Sequence, residues 1–391
     1  MSAVVNTHVH VPPNFSAFST PADVVACAQA QQVRVLGVSN FYDQQVYSLI
    51  RDLTQGGDIL ALYGLEFITL VPDLADQGIR VNDPSNPGRM YLTGKGIDPF
   101  RAPSPQAKAV AIATRQGNDQ RADQMVSQLA RHLCDQGFDT GLRADSIAET
   151  VARRAEVPLA WVSLQERHIA QAFQQALASL DPVRRAEVLA AAYGRPSMVD
   201  INNPAALQAE IRSRLLKVGT PGFVPEVPLS FDEARRYVLD MGGIPCYPVL
   251  ADGASPVCEF EQSPQQLAAE LIRRGIHAVE LIPGRNSAVV AQSYVESLHE
   301  AGMIVMAGTE HNTLDRAPLD PTFADGPLSA STRGVFLEGT AVVVAHVNRV
   351  VAGQAGFVDP TGDRTNVAVA DLVAEGLSVI NPTMPIAPTM A

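Results

Sequence analysis

The sequence predicts an α/β protein, a parallel β/α barrel interrupted by an all-helical insertion. Short apolar runs alternate with amphipathic helical patterns over residues 1–100 and again over 226–391, as parallel strand–helix units do. Between them, over 101–225, strand-like runs almost vanish and Ala/Gln/Arg-rich helical stretches follow one another. Histidines and carboxylates that can carry chemistry fall within or just past the apolar runs, which in a parallel barrel is one rim.

Taken in order, VVNTHV is the first strand, and STPADVVACAQAQQ offers Ser19 or Thr20 as helix N-cap with Pro21 in the first turn. VRVLGVSN reads as a buried strand, YDQQVYSLIRDL as an amphipathic helix and ILALYGLEFITL as the next strand. The insertion is punctuated at Gly141, Asp181–Pro182 and Gly194. Alternation resumes at LSFDEARRYVLDMGG, where Ser230 and Glu233 have capping-box spacing. The strand IPCYPVL, a helix capped by Ser263 and stopped at Gly275, the strand HAVELIP, the helix SAVVAQSYVESLHEAG and the strand MIVMAG follow. GTAVVVAHVN reads as one more strand, and the proline-rich tail NPTMPIAPTMA as extended.

The chain has 391 residues and a formal net charge of −12, which argues against sequence-independent binding to long nucleic acid. Residues 101–220 are the exception, with 15 Lys and Arg against 12 Asp and Glu. A relatively basic insertion beside an acidic metal pocket suits a small anionic substrate, although solvated helix faces give the same composition. Cys27, Cys134, Cys246 and Cys258 are widely spaced and form no metal or disulfide motif. With no signal-peptide pattern and no apolar run of eighteen residues, the expectation is a cytoplasmic protein that does not enter membranes.

His8 and His10 stand two apart, and side chains two apart on a strand share a face about 7 Å apart. Both imidazoles can therefore enter one metal pocket, or both can face solvent. Glu66 lies among apolar neighbours, where a carboxylate is costly unless it binds metal, forms an ion pair or is hydrogen-bonded. Glu310 and His311 follow a strand and are read as metal ligands or a general base, against an exposed loop pair. His346 is read as a ligand or a satisfied core histidine, and His168, within the insertion, as a group that reaches over the pocket. His132, His277 and His299 are read as structural. No nucleophile elbow, phosphate loop or dinucleotide fingerprint is present. Metal-activated water is the most economical chemistry for this residue set.

The order of segments resembles the PHP (polymerase and histidinol phosphatase) superfamily, in its bacterial phosphoesterase branch with a helical insertion. NTHVH is similar to the family's opening D-L-H-x-H strand, and YGLEFI to its G-x-E. RMYLTGKGIDP is similar to v-H-l-L-G-y-x-i-D, and ERHIAQAFQQAL to the insertion helix R-P-H-I-A-x-A-L. HAVELIPGRN is similar to g-I-E-v-y, and MIVMAGTEHNT stands in place of G-S-D-x-H.

The resemblance implies a distorted (β/α)7 TIM-like barrel over 1–100 and 226–391, with 101–225 as a helical insertion that is a candidate lid or substrate domain. It implies a metal-dependent phosphoesterase of small molecules holding Mn, Fe or Zn. His8, His10 and Glu66 match family ligands, and Glu310 matches the family aspartate. Other expected ligand positions fall on Phe15, Phe41, Met90 or Tyr91, Tyr247 or Val249, and Asn312. The expectation is therefore one or two ions, with His311 and His346 as replacement ligands. Glu310 and His311 would be the catalytic groups, and Arg115, Arg121 and His168 the substrate contacts. The alternatives are an amidohydrolase-like hydrolase or lyase of a non-phosphorylated substrate, and a degenerate barrel that binds without cutting.

Overall fold

A computed structural model describes residues 3–381, so the proline-rich tail beyond Asn381 lies outside the described residues. The sheet follows the order β1 (Val4–Val9), β2 (Val33–Phe41), β3 (Leu60–Leu70), β4 (Arg89–Lys95), β6 (Ile244–Val249), β7 (Ala278–Leu281) and β8 (Ile304–Ala307). A two-residue strand, β5 (Leu229–Ser230), pairs with β3 off this path. The segment after β8 closes the ring against β1. Val9 bridges Glu310 in parallel, His10 N donates to Glu310 O at 2.8 Å, and Thr309 N donates to His8 O at 3.0 Å. The barrel is nearly closed, with seven strands around it, as expected.

One strand departs from the parallel expectation. β4 runs antiparallel to both β3 and β6. Its C-terminal end, at Lys95, therefore lies beside Ile244, where the parallel strand β6 begins.

The helices form where their caps and patterns place them. In α1 (Pro21–Ala30), Thr20 accepts from Asp23 N and Asp23 returns the bond. α2 (Tyr47–Thr54) and α3 (Pro72–Asp76) flank β3. Five helices follow β4: α4 (Pro105–Asp135), α5 (Ala144–Ala155), α6 (Glu166–Leu177), α7 (Pro182–Tyr193) and α8 (Pro204–Ile211). They enclose their own apolar cluster, including Met125, Leu129, Phe173, Leu189, Leu207 and Ile211, separate from the barrel core. α9 (Phe231–Asp240) carries the expected Ser230–Glu233 capping box, and α10 (Pro264–Arg273) is capped by Ser263. α11 (Ala288–Glu300) precedes β8.

GTAVVVAHVN is not a strand. It belongs to α12 (Ala330–Val351), a helix capped by Ser329 and packed between β8 and α13 (Val369–Ile380). Gly339 lies against the Val305 carbonyl and Gly376 against that of Ala341, with no room for a Cβ at either contact. A helix covered on opposite sides reads as a continuous apolar run, as a buried strand does, so periodicity alone misassigns it. At 22 residues α12 is, among the described residues, the one helix long and apolar enough to cross a membrane, and half of its most apolar window is buried in the fold.

Candidate metal centre

β1 delivers His8 and His10 to one pocket, both fully buried with ring centroids 5.0 Å apart. Glu66, on β3, meets them from across the barrel: its Oε2 is 3.2 Å from His10 Nε2 and 3.8 Å from His8 Nε2. Gly308, after β8, lies so close to His8 that a Cβ there would overlap the histidine's own.

The feature that marks the site is what these atoms lack. His8 Nε2, both ring nitrogens of His10 and Glu66 Oε2 are buried without hydrogen-bond partners, although such groups normally find one. All three residues place a ligand atom within 4.8 Å of one another. Two imidazole nitrogens and one carboxylate oxygen suit Zn, Fe or Mn, so the residues present fit a divalent ion.

His8 is held from behind. Its Nδ1 lies 3.0 Å from Glu280 Oε1, which also accepts from Thr93 Oγ1 at 2.9 Å. A carboxylate on Nδ1 makes that nitrogen the protonated one and leaves Nε2 with a free lone pair facing Glu66. Glu280 is itself neutralised by the buried Lys95, whose Nζ is 2.6 Å from Oε2 and donates to Thr7 O at 3.0 Å. Burial alone would raise the Glu280 pKa, but Lys95 and His8 outweigh it and hold the carboxyl at about 2. Glu280→Gln keeps the shape and removes the charge, and is expected to weaken metal binding about 10–100-fold in a competition titration. Unchanged affinity would mean that Glu280 does not orient His8.

Phe41, at an expected histidine-ligand position, stacks on His10 with centroids 5.1 Å apart. Phe15 is buried with its ring edge-on to His168. Phe41 is a wall of the site, whereas Phe15 packs against the helical stretch.

The other expected ligands are engaged elsewhere. Glu310 forms a two-pronged pair with Arg285, one arm at 2.9 Å, and accepts from Asn312 Nδ2 at 2.7 Å. Burial raises its pKa, but Arg285, His8 and His10 outweigh that and leave the carboxyl below its usual range. His311 contacts Thr309 Oγ1 through Nδ1 at 2.7 Å and Ala317 O through Nε2 at 2.8 Å, so neither nitrogen is free for an ion or a proton. Glu310 and His311 both have positive φ, 57° and 54°, and this turn sends the His311 ring away from the triad and onto Phe18. His346 is a satisfied core histidine at the opposite end of the barrel. It bonds Gly242 O at 3.0 Å and accepts from Phe357 N at 3.0 Å, and burial lowers its pKa to about 4.

A cavity of about 420 Å³ opens above Glu66 and is roofed by the helical stretch. From that stretch, Arg121, Arg167, Arg212 and Lys217 line it against one carboxylate, Glu166. Glu166 pairs with Lys217 at 2.8 Å and Arg212 at 3.1 Å. Arg121 spends its Nε on Val224 O. Arg115 is not at the cavity: its guanidinium ties Asp43 at 2.8 Å and the Ala160 and Val162 carbonyls, fastening α4 to the loop after β2. His168 is buried below the roof, where its Nδ1 accepts from Gln165 N as a helix cap, and burial lowers its pKa to about 3. Neither residue is a substrate contact in this geometry.

Arg167 was not anticipated. It lines the cavity with no hydrogen bond or ion pair among the described residues. Burial, reinforced by Arg212 and Arg285, lowers its pKa to about 10. The sequence signal was faint: in R-P-H-I-A register the family arginine falls on Glu166, and Arg167 stands one residue later.

No family model matches the chain, and no curated protein matches it. Similar folds occur among solved structures. An amidohydrolase from Chromobacterium violaceum, with bound sulfate and no metal, superposes with a TM-score of 0.53 at 16% identity, over 79% of this chain and 88% of that one. A proposed metal-dependent phosphoesterase from Bifidobacterium adolescentis superposes with a TM-score of 0.57 at 13% identity, over 87% of this chain and 97% of that one. At such identities the likeness is one of architecture, and the chain shares with both structures a distorted TIM-like barrel.

Proposed function

We propose that the protein is a metal-dependent hydrolase acting on phosphate esters of small molecules. The observation that carries this reading is the convergence of partnerless donor atoms on His8, His10 and Glu66 beneath a cavity walled by the counter-ion-free Arg167. A buried cluster of lone pairs calls for a cation, and an unpaired guanidinium calls for an anion. Both similar structures are described as hydrolases, and one of them binds sulfate.

His8, His10 and Glu66 would hold the divalent ion, which supplies Lewis acidity for activating water and polarising a phosphoryl oxygen. Glu280 fixes the His8 ring. Arg167 binds the anionic end of the substrate, with Arg285 lining the same cavity. Tyr91 and Phe41 form an apolar wall beside Glu66.

Arg167→Ala is expected to raise KM about 10–100-fold, the worth of one charge-assisted bond, with a smaller change in kcat. A KM that stays put would remove Arg167 from the binding site. The reading as a whole is tested by loading the protein with Mn, Fe or Zn and screening small phosphate monoesters and diesters beside matched carboxylic esters and amides. Turnover confined to phosphate esters supports it. Turnover of the carbonyl substrates alone would favour an amidohydrolase, and metal uptake with no turnover at all would favour a binding protein.

A further inference from the structure

The number of ions is set by which carboxylates still have an oxygen to give. Three acids surround His8 and His10: Glu66, Glu280 and Glu310. Glu280 has none to spare, since Oε1 takes Thr93 Oγ1 and His8 Nδ1 while Oε2 faces the Lys95 ammonium. Glu310 faces Arg285 with both oxygens and Asn312 with one. Among the described residues the three side chains able to group around an ion are His8, His10 and Glu66. A second ion would have to take Glu310 from a guanidinium already seated in two-pronged geometry, which is the strongest arrangement for that pair.

We infer that the centre binds a single divalent ion and that Arg285 enforces this count, standing as a fixed cation on the carboxylate that a second ion would use. The inference rests on the metal reading above and adds to it the stoichiometry and the residue that sets it. It also gives the Arg285–Glu310 pair a purpose. Glu310 is buried in the cavity wall, and among the described residues Arg285 is the one Lys or Arg side chain in ion-pair contact with it.

The test is Mn(II) binding by equilibrium dialysis and electron paramagnetic resonance on the purified full chain, none of which requires turnover. Wild type is expected to take up about one equivalent with the hyperfine pattern of an isolated ion. Arg285→Met is expected to gain a second equivalent with a spin-coupled signal, and Arg285→Met/Glu310→Gln to return to one. Circular dichroism selects folded protein for each comparison. Should Arg285→Met fail to fold, Arg285→Lys, which keeps a cation but loses the fork, is expected to show partial second occupancy. Two equivalents in wild type, or one in every folded Arg285 variant, would overturn the inference while leaving the metal reading in place. No Mn(II), Fe or Zn bound by wild type would remove the metal reading and this inference with it.

Discussion

Lys95→Met is expected to lower folding stability by about 3–5 kcal/mol, read from the shift in the urea midpoint. Lys95 and Glu280 are both fully buried, and their side chains meet at 2.6 Å. Removing the ammonium leaves a carboxylate in the barrel interior with only Thr93 and His8 for support. The penalty is that of an unpaired buried charge, which exceeds what the intact pair contributes over a hydrophobic replacement. Lys95→Met/Glu280→Leu should therefore recover much of the loss, and the double-mutant cycle measures the coupling. A single-mutant loss below about 1 kcal/mol would show that Glu280 does not depend on Lys95.

The same pair sets an acid limit. Glu280 titrates at about 2 in the fold against an ordinary 4.5, so its contribution is complete above the ordinary value and lost as pH falls through the folded one. His346 acts in the same sense at higher pH. Buried and neutral down to about 4, it favours the unfolded chain progressively as pH drops below its ordinary 6.5. Acid unfolding of wild type should thus begin below neutrality, and His346→Gln, which keeps a donor and an acceptor, should reduce the early loss, the remainder being shared by the buried His168, held neutral down to about 3.

The second large effect is expected at Glu66. Glu66→Ala should reduce Mn or Zn content to background, whereas Glu310→Gln should leave it unchanged, because Glu310 gives its oxygens to Arg285 and Asn312 and Glu280 gives Oε2 to Lys95, while Glu66 Oε2 has neither a hydrogen bond nor a Lys or Arg partner. Compared with wild type stripped of metal, the Glu66→Ala variant should hold its urea midpoint or gain in stability, since burying Glu66 Oε2 without a partner costs about 1–3 kcal/mol. A midpoint below that of metal-free wild type would instead identify Glu66 as a structural residue. Retention of metal would place the ion elsewhere.

Much of this was legible in the chain. His8, His10 and Glu66 stood out because polar residues in apolar strands need a reason to be there, and the alternation of strands and helices gave the barrel. Glu280 sits in as apolar a strand and was read only as part of the fold, because a carboxylate that serves a histidine carries no mark distinguishing it from one that binds metal. Lys95 was invisible for a topological reason: only the reversed direction of β4 puts it beside Glu280. His311 and His346 failed differently. Two left-handed residues turn one ring aside, and an apolar helix imitated a strand for the other. Arg115 and Arg167 differ in nothing that composition records; the fold gives one a carboxylate and leaves the other without.

The reversal of β4 also dictates the carpentry of the roof. A strand that ends at the barrel's lower rim releases the chain far from the cavity, at Asp98 and Ser104, which bond Met241 O and the Asp240 carboxylate. The chain must climb back before it can contribute to the mouth. α4 is that climb: from Ser104 to Arg121 a helix rises about 25 Å, close to the span of the seven-residue strand it retraces. The stretch from Ser104 to Arg121 is thus a ruler matched to the height of the barrel, and the rest of α4 runs on into the roof. Deleting four residues before Arg121 would shorten the strut by about 6 Å and rotate Arg121 by about 40° off the opening, whereas the same deletion in the part of α4 beyond Arg121 would leave its height and facing unchanged. Anyone grafting this roof onto another barrel would have to keep the strut with it.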